Sequence, residues 1–233
     1  DVRQSHPFKQ LFPVAELLRW GGAGESIHIE FGLMSLPEGA LSSRKGNTIS
    51  LESLSGEAEK RAGEVIREKN PHLEDSDEVA KKIGLAALKY FDLSHNRKSN
   101  IIFKLDDALL FEGNTGPYLQ YTYARFRSIL KKSGMSTTVS DSLPLDSAEH
   151  TLLLTLLRFP ETIEDALKSY MPNILTNYLF LLAGLSNEFY HSHPVLKESD
   201  AEKRSFRCAL VNATSQTLKN GLSLLGISAP EEM

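Results

Sequence analysis

Glu112-Gly-Asn-Thr-Gly-Pro-Tyr-Leu-Gln-Tyr-Thr-Tyr-Ala-Arg125 joins a glycine-punctuated turn to a stretch with three tyrosines and an arginine at close spacing. Gly113 and Gly116 tolerate left-handed backbone, and Thr115 can cap a helix start. Pro117 suits a first helical turn, where its missing N–H costs nothing. The pattern therefore predicts a helix opening near Thr115. On it Tyr118 and Tyr121 are three apart, and Tyr121 and Arg125 four apart, so two phenols and a guanidinium share a face. Such a face can stack on bases and touch phosphate. It can equally be an amphipathic core whose tyrosines keep their polar tips outward.

Downstream, Phe126, Ile129 and Leu130 continue the helix to Lys131-Lys132, where Gly134 closes it and the cations suit the helix dipole. The segment 135–145 reads as a loop. Asp146-Ser147 caps a helix through Leu157, Pro160 opens another to about Tyr170, and Pro172 opens a third through Phe189. A last helix spans about 199–225 and meets Gly226. From residue 115 onward the chain is a helical bundle with enough apolar stripe for its own core.

Upstream, Phe8, Leu11, Phe12, Ala15 and Leu18 fall at helical spacing, with Gly21-Gly22 as the stop. Residues 26–33 alternate Ile27, Ile29, Phe31 and Leu33 with mostly polar neighbours, which predicts a strand with His28 on the solvated face. Helices are expected over 50–69, capped by Ser50, and over 76–91. A polar connector with His95, Arg97 and Lys98, a short strand at 101–103 and a short helix at 105–111 lead into the opening stretch. Helix, strand and helix in succession suggest the end of an α/β layer. Between residues 37 and 47 lies a loop in which Ser42-Ser43-Arg44-Lys45 precede a Gly-Asn turn. Two hydroxyls and two adjacent cations on mobile backbone can bind phosphate as charge develops, or stand as a solvated turn.

The 233 residues are 41% hydrophobic and 24% charged, the range of an ordinary globular protein. A net charge of -4 offers no global attraction to nucleic acid, so such binding needs a local basic patch. The single cysteine, Cys208, rules out an internal disulfide or a multi-cysteine zinc site, and its apolar neighbours read as core. No apolar run spans a bilayer and no signal peptide opens the chain, so the expectation is a cytoplasmic protein without a membrane partner. The absence of an initiator Met suggests a piece of a longer protein.

Taken together and in order, these stretches resemble the C-terminal half of the arginyl-tRNA synthetases, a class I aminoacyl-tRNA synthetase family. The residues that carry the resemblance are Phe111 to Arg125, preceded by Tyr90-Phe-Asp-Leu-Ser-His-Asn-Arg97. They are followed by Asn187-Glu-Phe-Tyr190, Pro194-Val-Leu196 and Leu224-Leu-Gly-Ile-Ser-Ala-Pro-Glu-Glu-Met233. The implied fold is mainly α: the end of a class I α/β (Rossmann-type) catalytic domain with a helical connector in residues 1–110, then an α-helical anticodon-binding domain in 111–233. The loop Ala40-Leu-Ser-Ser-Arg-Lys-Gly-Asn47 is similar to the family's KMSKS loop, often Lys-Met-Ser-Thr-Arg-Lys-Gly-Asn, with Ala40 and Leu41 replacing its first two residues. By that likeness Ser42, Ser43, Arg44 and Lys45 are catalytic residues facing the phosphates of ATP, Lys45 foremost. Gln4 takes the place of a glutamine that holds the substrate arginine, while Pro7 stands where the family has a histidine.

For the bundle, the resemblance implies a tRNA-binding set of Tyr118, Gln120, Tyr121, Arg125, Asn187, Tyr190 and Met233. The implied activity is ATP-dependent attachment of arginine to tRNA(Arg) through an arginyl-adenylate, with Mg2+ accompanying ATP, no structural metal and a monomeric enzyme. The HIGH motif and most arginine contacts are not in these 233 residues, so the segment alone is expected to be inactive. A non-catalytic tRNA-binding module is the competing expectation.

Overall fold

The computed structural model describes residues 1–37, 39–40, 50–134 and 143–233. These form two compact units, residues 1–48 with 95–104 and residues 49–94 with 105–233.

In the first unit, α1 (Ser5–Leu17) follows a short 3-10 turn, and three short strands form one sheet. These are β1 (Met34–Leu36), β2 (Gly39–Ala40) and β3 (Ile101–Ile102), in the order β2-β1-β3. β1 pairs antiparallel with β2, Ser35 opposite Ala40, and parallel with β3, Met34 opposite Ile101. A parallel pair requires a long connection, which the helices between β2 and β3 provide. The strand expected over 26–33 is displaced: the ladder starts at Met34, and residues 26–33 carry no regular secondary structure. Their backbone groups go elsewhere. Phe31 O accepts from Val2 N, Gly32 N donates to Arg97 O, and Leu33 N donates to Asn100 Oδ1. A Cβ at position 32 would stand 2.0 Å from Ser99 O, so only glycine allows that approach.

The alternation is real but packs the other way round within this unit. Ile27, Ile29, Phe31 and Leu33 are exposed, whereas His28 stacks on Phe8 with ring centres 4.3 Å apart. Glu30 accepts from Ser5 Oγ at 2.6 Å and pairs with Lys98 at 3.3 Å. His28 is therefore half-buried against an aromatic ring, not solvated as its place in the alternation suggested.

The second unit is helical: α2 (Leu51–Lys69), α3 (Ser76–Ser94), α4 (Leu105–Ala108), α5 (Gly116–Ser133), α6 (Ser147–Leu157), α7 (Phe159–Ser169), α8 (Pro172–Ser192) and α9 (Ala201–Leu224). The helix ends follow their sequence signals. Ser50 caps α2 through Ser53 N, Thr115 caps α5 through Tyr118 N, and Asp146 caps α6 reciprocally with Glu149. Gly134 closes α5 at φ 58°. Compactness does not follow a division at residue 110, because α2 and α3 pack with the bundle. Small residues make α2 and α3 close neighbours: Ala58, Ala62 and Ala87 are buried, and a Cβ on Gly84 would stand 2.7 Å from Glu59 N.

Large side chains fill the centre, among them Tyr90, Leu119, Phe126, Leu179, Leu182, Leu218 and Leu222. Cys208 is in the same core, where burial pushes its thiol pKa up. Tyr90 ties three pieces together, with its hydroxyl 2.6 Å from Asn114 Oδ1 and 2.9 Å from Thr176 O. Charges buried at the far side are paired: Arg207 on α9 meets Glu149 on α6 at 2.8 Å and Glu198 at 2.7 Å.

Candidate nucleic-acid interface

Helix α5 presents two polar stripes that meet at one cleft. Tyr121, Arg125, Ser128 and Lys132 recur at three- and four-residue spacing and line a cleft of about 730 Å³. Tyr190 from α8, Asn70 from the end of α2, Lys131 and the segment Glu231-Glu232-Met233 also line it. Tyr121 is 46% exposed, so its ring is available to a ligand. Arg125 lies over the Tyr190 ring at 5.0 Å, a cation–π contact that holds the guanidinium plane against an aromatic face. Among the described residues, neither Arg125 nor Lys132 has a carboxylate partner within ion-pair range.

Tyr121, Asn70 and Met233 also border a second, more apolar cavity of about 380 Å³. Val65, Ile66, Ile83 and Phe111 wall it, and Lys69 sits over the Phe111 ring at 5.0 Å. Flat apolar walls beside unpaired cations are what unstacked bases and their phosphates require.

The other stripe of α5 faces the closing segment 226–233. Gln120 Nε2 donates to Ser228 O at 2.6 Å and to Lys82 O at 3.3 Å. Tyr123 donates its hydroxyl to Glu231, Arg127 Nε donates to Glu231 at 2.6 Å, and Lys131 pairs with Glu232 at 3.0 Å. Lys219 on α9 adds a second cation to Glu231 at 3.3 Å. Partial burial raises the Glu231 pKa, but the hydrogen bonds from Tyr123, Arg127 and Lys219 outweigh it and hold the carboxyl at about 2. Asn70 Nδ2 donates to Met233 O at 3.2 Å and ties the end of this segment to α2.

The residues expected to contact tRNA thus separate into three groups. Tyr121, Arg125, Tyr190 and Met233 converge on the cleft. Tyr118 and Asn187 form a neighbouring pair: Asn187 Nδ2 donates to Tyr118 Oη at 3.0 Å and to Thr122 Oγ1 at 3.2 Å, while Tyr118 packs edge-on against Phe180. Asn187 Oδ1 is buried without a partner among the described residues. Gln120 departs from the expectation. It is 0% exposed and spends its amide N–H groups on backbone carbonyls, so it presents no surface to a ligand.

In the first unit, Gln4 Oε1 accepts from the Asp1 backbone nitrogen at 3.0 Å, one half of a capping box with Asp1. β2 delivers the chain to the KMSKS-like loop, and Ser42, Ser43, Arg44 and Lys45 lie outside the described residues. No group of three His, Cys, Asp or Glu side chains suited to a metal occurs among the described residues. Nor is any described helix long and apolar enough to cross a membrane.

Asn70, Ser128, Lys132 and Glu231 line the cleft beyond the residues expected from sequence. Extending the Tyr121-Arg125 stripe one turn would have reached Ser128 and Lys132. Nothing local places Asn70 or Glu231 beside that stripe, because α2 and the closing segment arrive from 51 and 110 residues away.

Two family models match the chain: the class I (R) tRNA synthetase catalytic domain over residues 1–105, and the DALR anticodon binding domain over residues 119–233. The chain belongs to the arginyl-tRNA synthetase family. It is 41% identical to the arginine–tRNA ligase of Fusobacterium nucleatum, covering 100% of this chain and 42% of that protein. It is 40% identical to that of Alkaliphilus metalliredigens, covering 100% of this chain and 41% of the relative. The solved arginyl-tRNA synthetase of Thermus thermophilus matches the whole chain with a TM-score of 0.91 at 34% identity, over 40% of its own length. That of Plasmodium falciparum matches with a TM-score of 0.84 at 28% identity, again over 40% of its length. The chain therefore spans about two fifths of the arginyl-tRNA synthetases it matches.

Proposed function

We propose that this chain is the C-terminal part of an arginine–tRNA ligase, supplying the KMSKS-like loop from residues 1–110 and the anticodon-binding domain from 111–233. The observation that carries the reading is the convergence of Tyr121, Arg125, Tyr190 and Met233 on one cleft within a chain of this family. The cleft takes the anticodon loop of tRNA(Arg). Exposed Tyr121 offers a stacking face, while Arg125 and Lys132 supply the local positive charge that a chain of net charge -4 otherwise lacks. Tyr118 and Asn187 border this surface, and Gln120 acts beneath it.

In the intact enzyme the carboxylate of arginine attacks the α-phosphorus of ATP, forming arginyl-adenylate and expelling pyrophosphate. A ribose hydroxyl at the tRNA end then attacks the adenylate carbonyl, and AMP leaves. Lys45 and Arg44 stabilise the charge that grows on the departing pyrophosphate, with Ser42 and Ser43 hydrogen-bonding the phosphates. Mg2+ enters with ATP and offsets phosphate charge. Gln4 helps hold the substrate arginine, its amide oxygen accepting a guanidinium N–H. Without the HIGH motif the 233 residues by themselves do not aminoacylate.

The deciding measurement is tRNA(Arg) affinity of a Tyr121→Ala, Arg125→Ala double variant at physiological salt. Loss of binding with the fold intact supports the reading, and wild-type affinity sinks it. Tight tRNA binding by the intact protein with no tRNA-dependent ATP–pyrophosphate exchange would instead identify a non-catalytic module.

A further inference from the structure

We infer that Glu231 is a positioning residue: it latches segment 226–233 onto the second stripe of α5 and so sets Met233 as a wall of the tRNA cleft. The inference rests on the proposed role of that cleft. The cations of α5 are divided between two tasks. Arg125 and Lys132 line the cleft without a carboxylate partner among the described residues, whereas Arg127 pairs with Glu231, and Lys131, also on the cleft, pairs with Glu232.

The anchoring is graded along the segment. Ile227 is buried, Gln120 holds Ser228 O, and Lys89 donates to Gly226 O, so its root is fixed to the core. Beyond Pro230 the polar attachments are those of Glu231, with three donors, and of Glu232, with the exposed Lys131. The Glu231 carboxylate accepts from a phenol, a guanidinium and an ammonium on two helices, α5 and α9. Two residues later, Asn70 Nδ2 donates to the Met233 carbonyl, and half-buried Met233 borders the apolar cavity. One neutral hydrogen bond and an exposed ion pair at Glu232 do little against the entropy of the free chain. Of the three residues 231–233, Glu231 thus makes the most polar contacts that hold Met233 in place.

A carboxylate beside an anionic ligand would ordinarily oppose binding, which gives the latch a distinctive sign. Removing the charge while keeping the shape should weaken tRNA binding if Glu231 positions Met233, and strengthen it if Glu231 merely repels phosphate.

The experiment uses the intact enzyme with Glu231→Gln, Glu231→Ala, Met233→Ala and the Glu231→Ala, Met233→Ala pair. Expected is a rise of about tenfold in KM for tRNA(Arg) for both Glu231 variants with kcat and KM for ATP unchanged. In the pair, Met233→Ala should add less than about twofold, because the residue it removes has already left its place. A lowered KM in Glu231→Gln, or fully multiplying effects in the pair, overturns the inference. A readout without tRNA is the 13C-methyl resonance of Met233, assigned by its loss in Met233→Leu. It should move to its random-coil position in both Glu231 variants, and an unmoved resonance overturns the latch. If Tyr121→Ala, Arg125→Ala leaves tRNA binding intact while the resonance still moves in Glu231→Ala, the cleft reading has failed and the latch has not.

Discussion

The guanidinium of Arg125 on α5 lies 5.0 Å from the centre of the Tyr190 ring on α8. The ring holds the cation at the cleft wall without neutralising it, so the charge remains available to phosphate. Tyr190→Phe keeps the face and should bind tRNA(Arg) within about twofold of the wild type, whereas Tyr190→Ala should lose about three- to tenfold. Arg125→Ala should reduce the slope of log affinity against log salt by about one. Titrations of tRNA binding between low and physiological salt measure both.

Gln120 is buried beneath the same helix, with its amide N–H groups on Ser228 O and Lys82 O. Gln120→Leu leaves both carbonyls without that donor and should cost about 1–3 kcal/mol. Urea denaturation of the protein monitors the loss. A direct tRNA contact would predict instead an unchanged stability with weakened binding.

Arg207 and Glu149 form an ion pair with almost no solvent access. Arg207→Met strands the Glu149 carboxylate in the core and should cost about 3–5 kcal/mol. Adding Glu149→Leu should recover part of it, because the stranded core carboxylate is gone while Glu198 still lacks its guanidinium and Asp146 N its acceptor. A double-mutant cycle of unfolding free energies gives the coupling.

Acid should release the closing segment before the core unfolds. The folded pKa of Glu231, about 2, lies below its ordinary value of 4.5. Its stabilisation is therefore complete above that ordinary value and is lost as pH falls toward the folded one. The difference in urea midpoint between the wild type and Glu231→Gln should be constant near neutrality, shrink below about pH 4.5 and vanish near pH 2. A difference that persists at the lowest pH would show that the carboxylate's charge is not what holds the segment.

Gly84 allows α2 and α3 to touch, since a Cβ there would lie 2.7 Å from Glu59 N and 2.9 Å from Ala58 C. Backbone cannot yield as a side-chain end can. Gly84→Ala should force the helices apart and cost about 1–3 kcal/mol despite the better helix propensity of alanine. Thermal unfolding tests the sign, which propensity alone would give as stabilising.

By itself the sequence determined the helices of the second unit and their ends. Ser50, Thr115 and Asp146 cap, and Gly134 and Gly226 adopt the positive φ that closes a helix. These are local decisions, made within one turn by hydrogen bonds and backbone sterics. The α5 stripe of Tyr121 and Arg125 was legible for the same reason, because helical periodicity fixes which side chains share a face.

Only the tertiary structure decided what each face meets. Gln120 differs from Tyr121 by one position, yet one is enclosed by Ser228 and Lys82 and the other is open. The alternation at 26–33 marked two faces correctly, but not which would be packed in this unit, nor that the ladder begins at Met34. Asn70, Glu231 and Met233 reach the cleft from distant parts of the chain. Periodicity carries no information about such meetings, because they depend on how packed helices bring remote segments together.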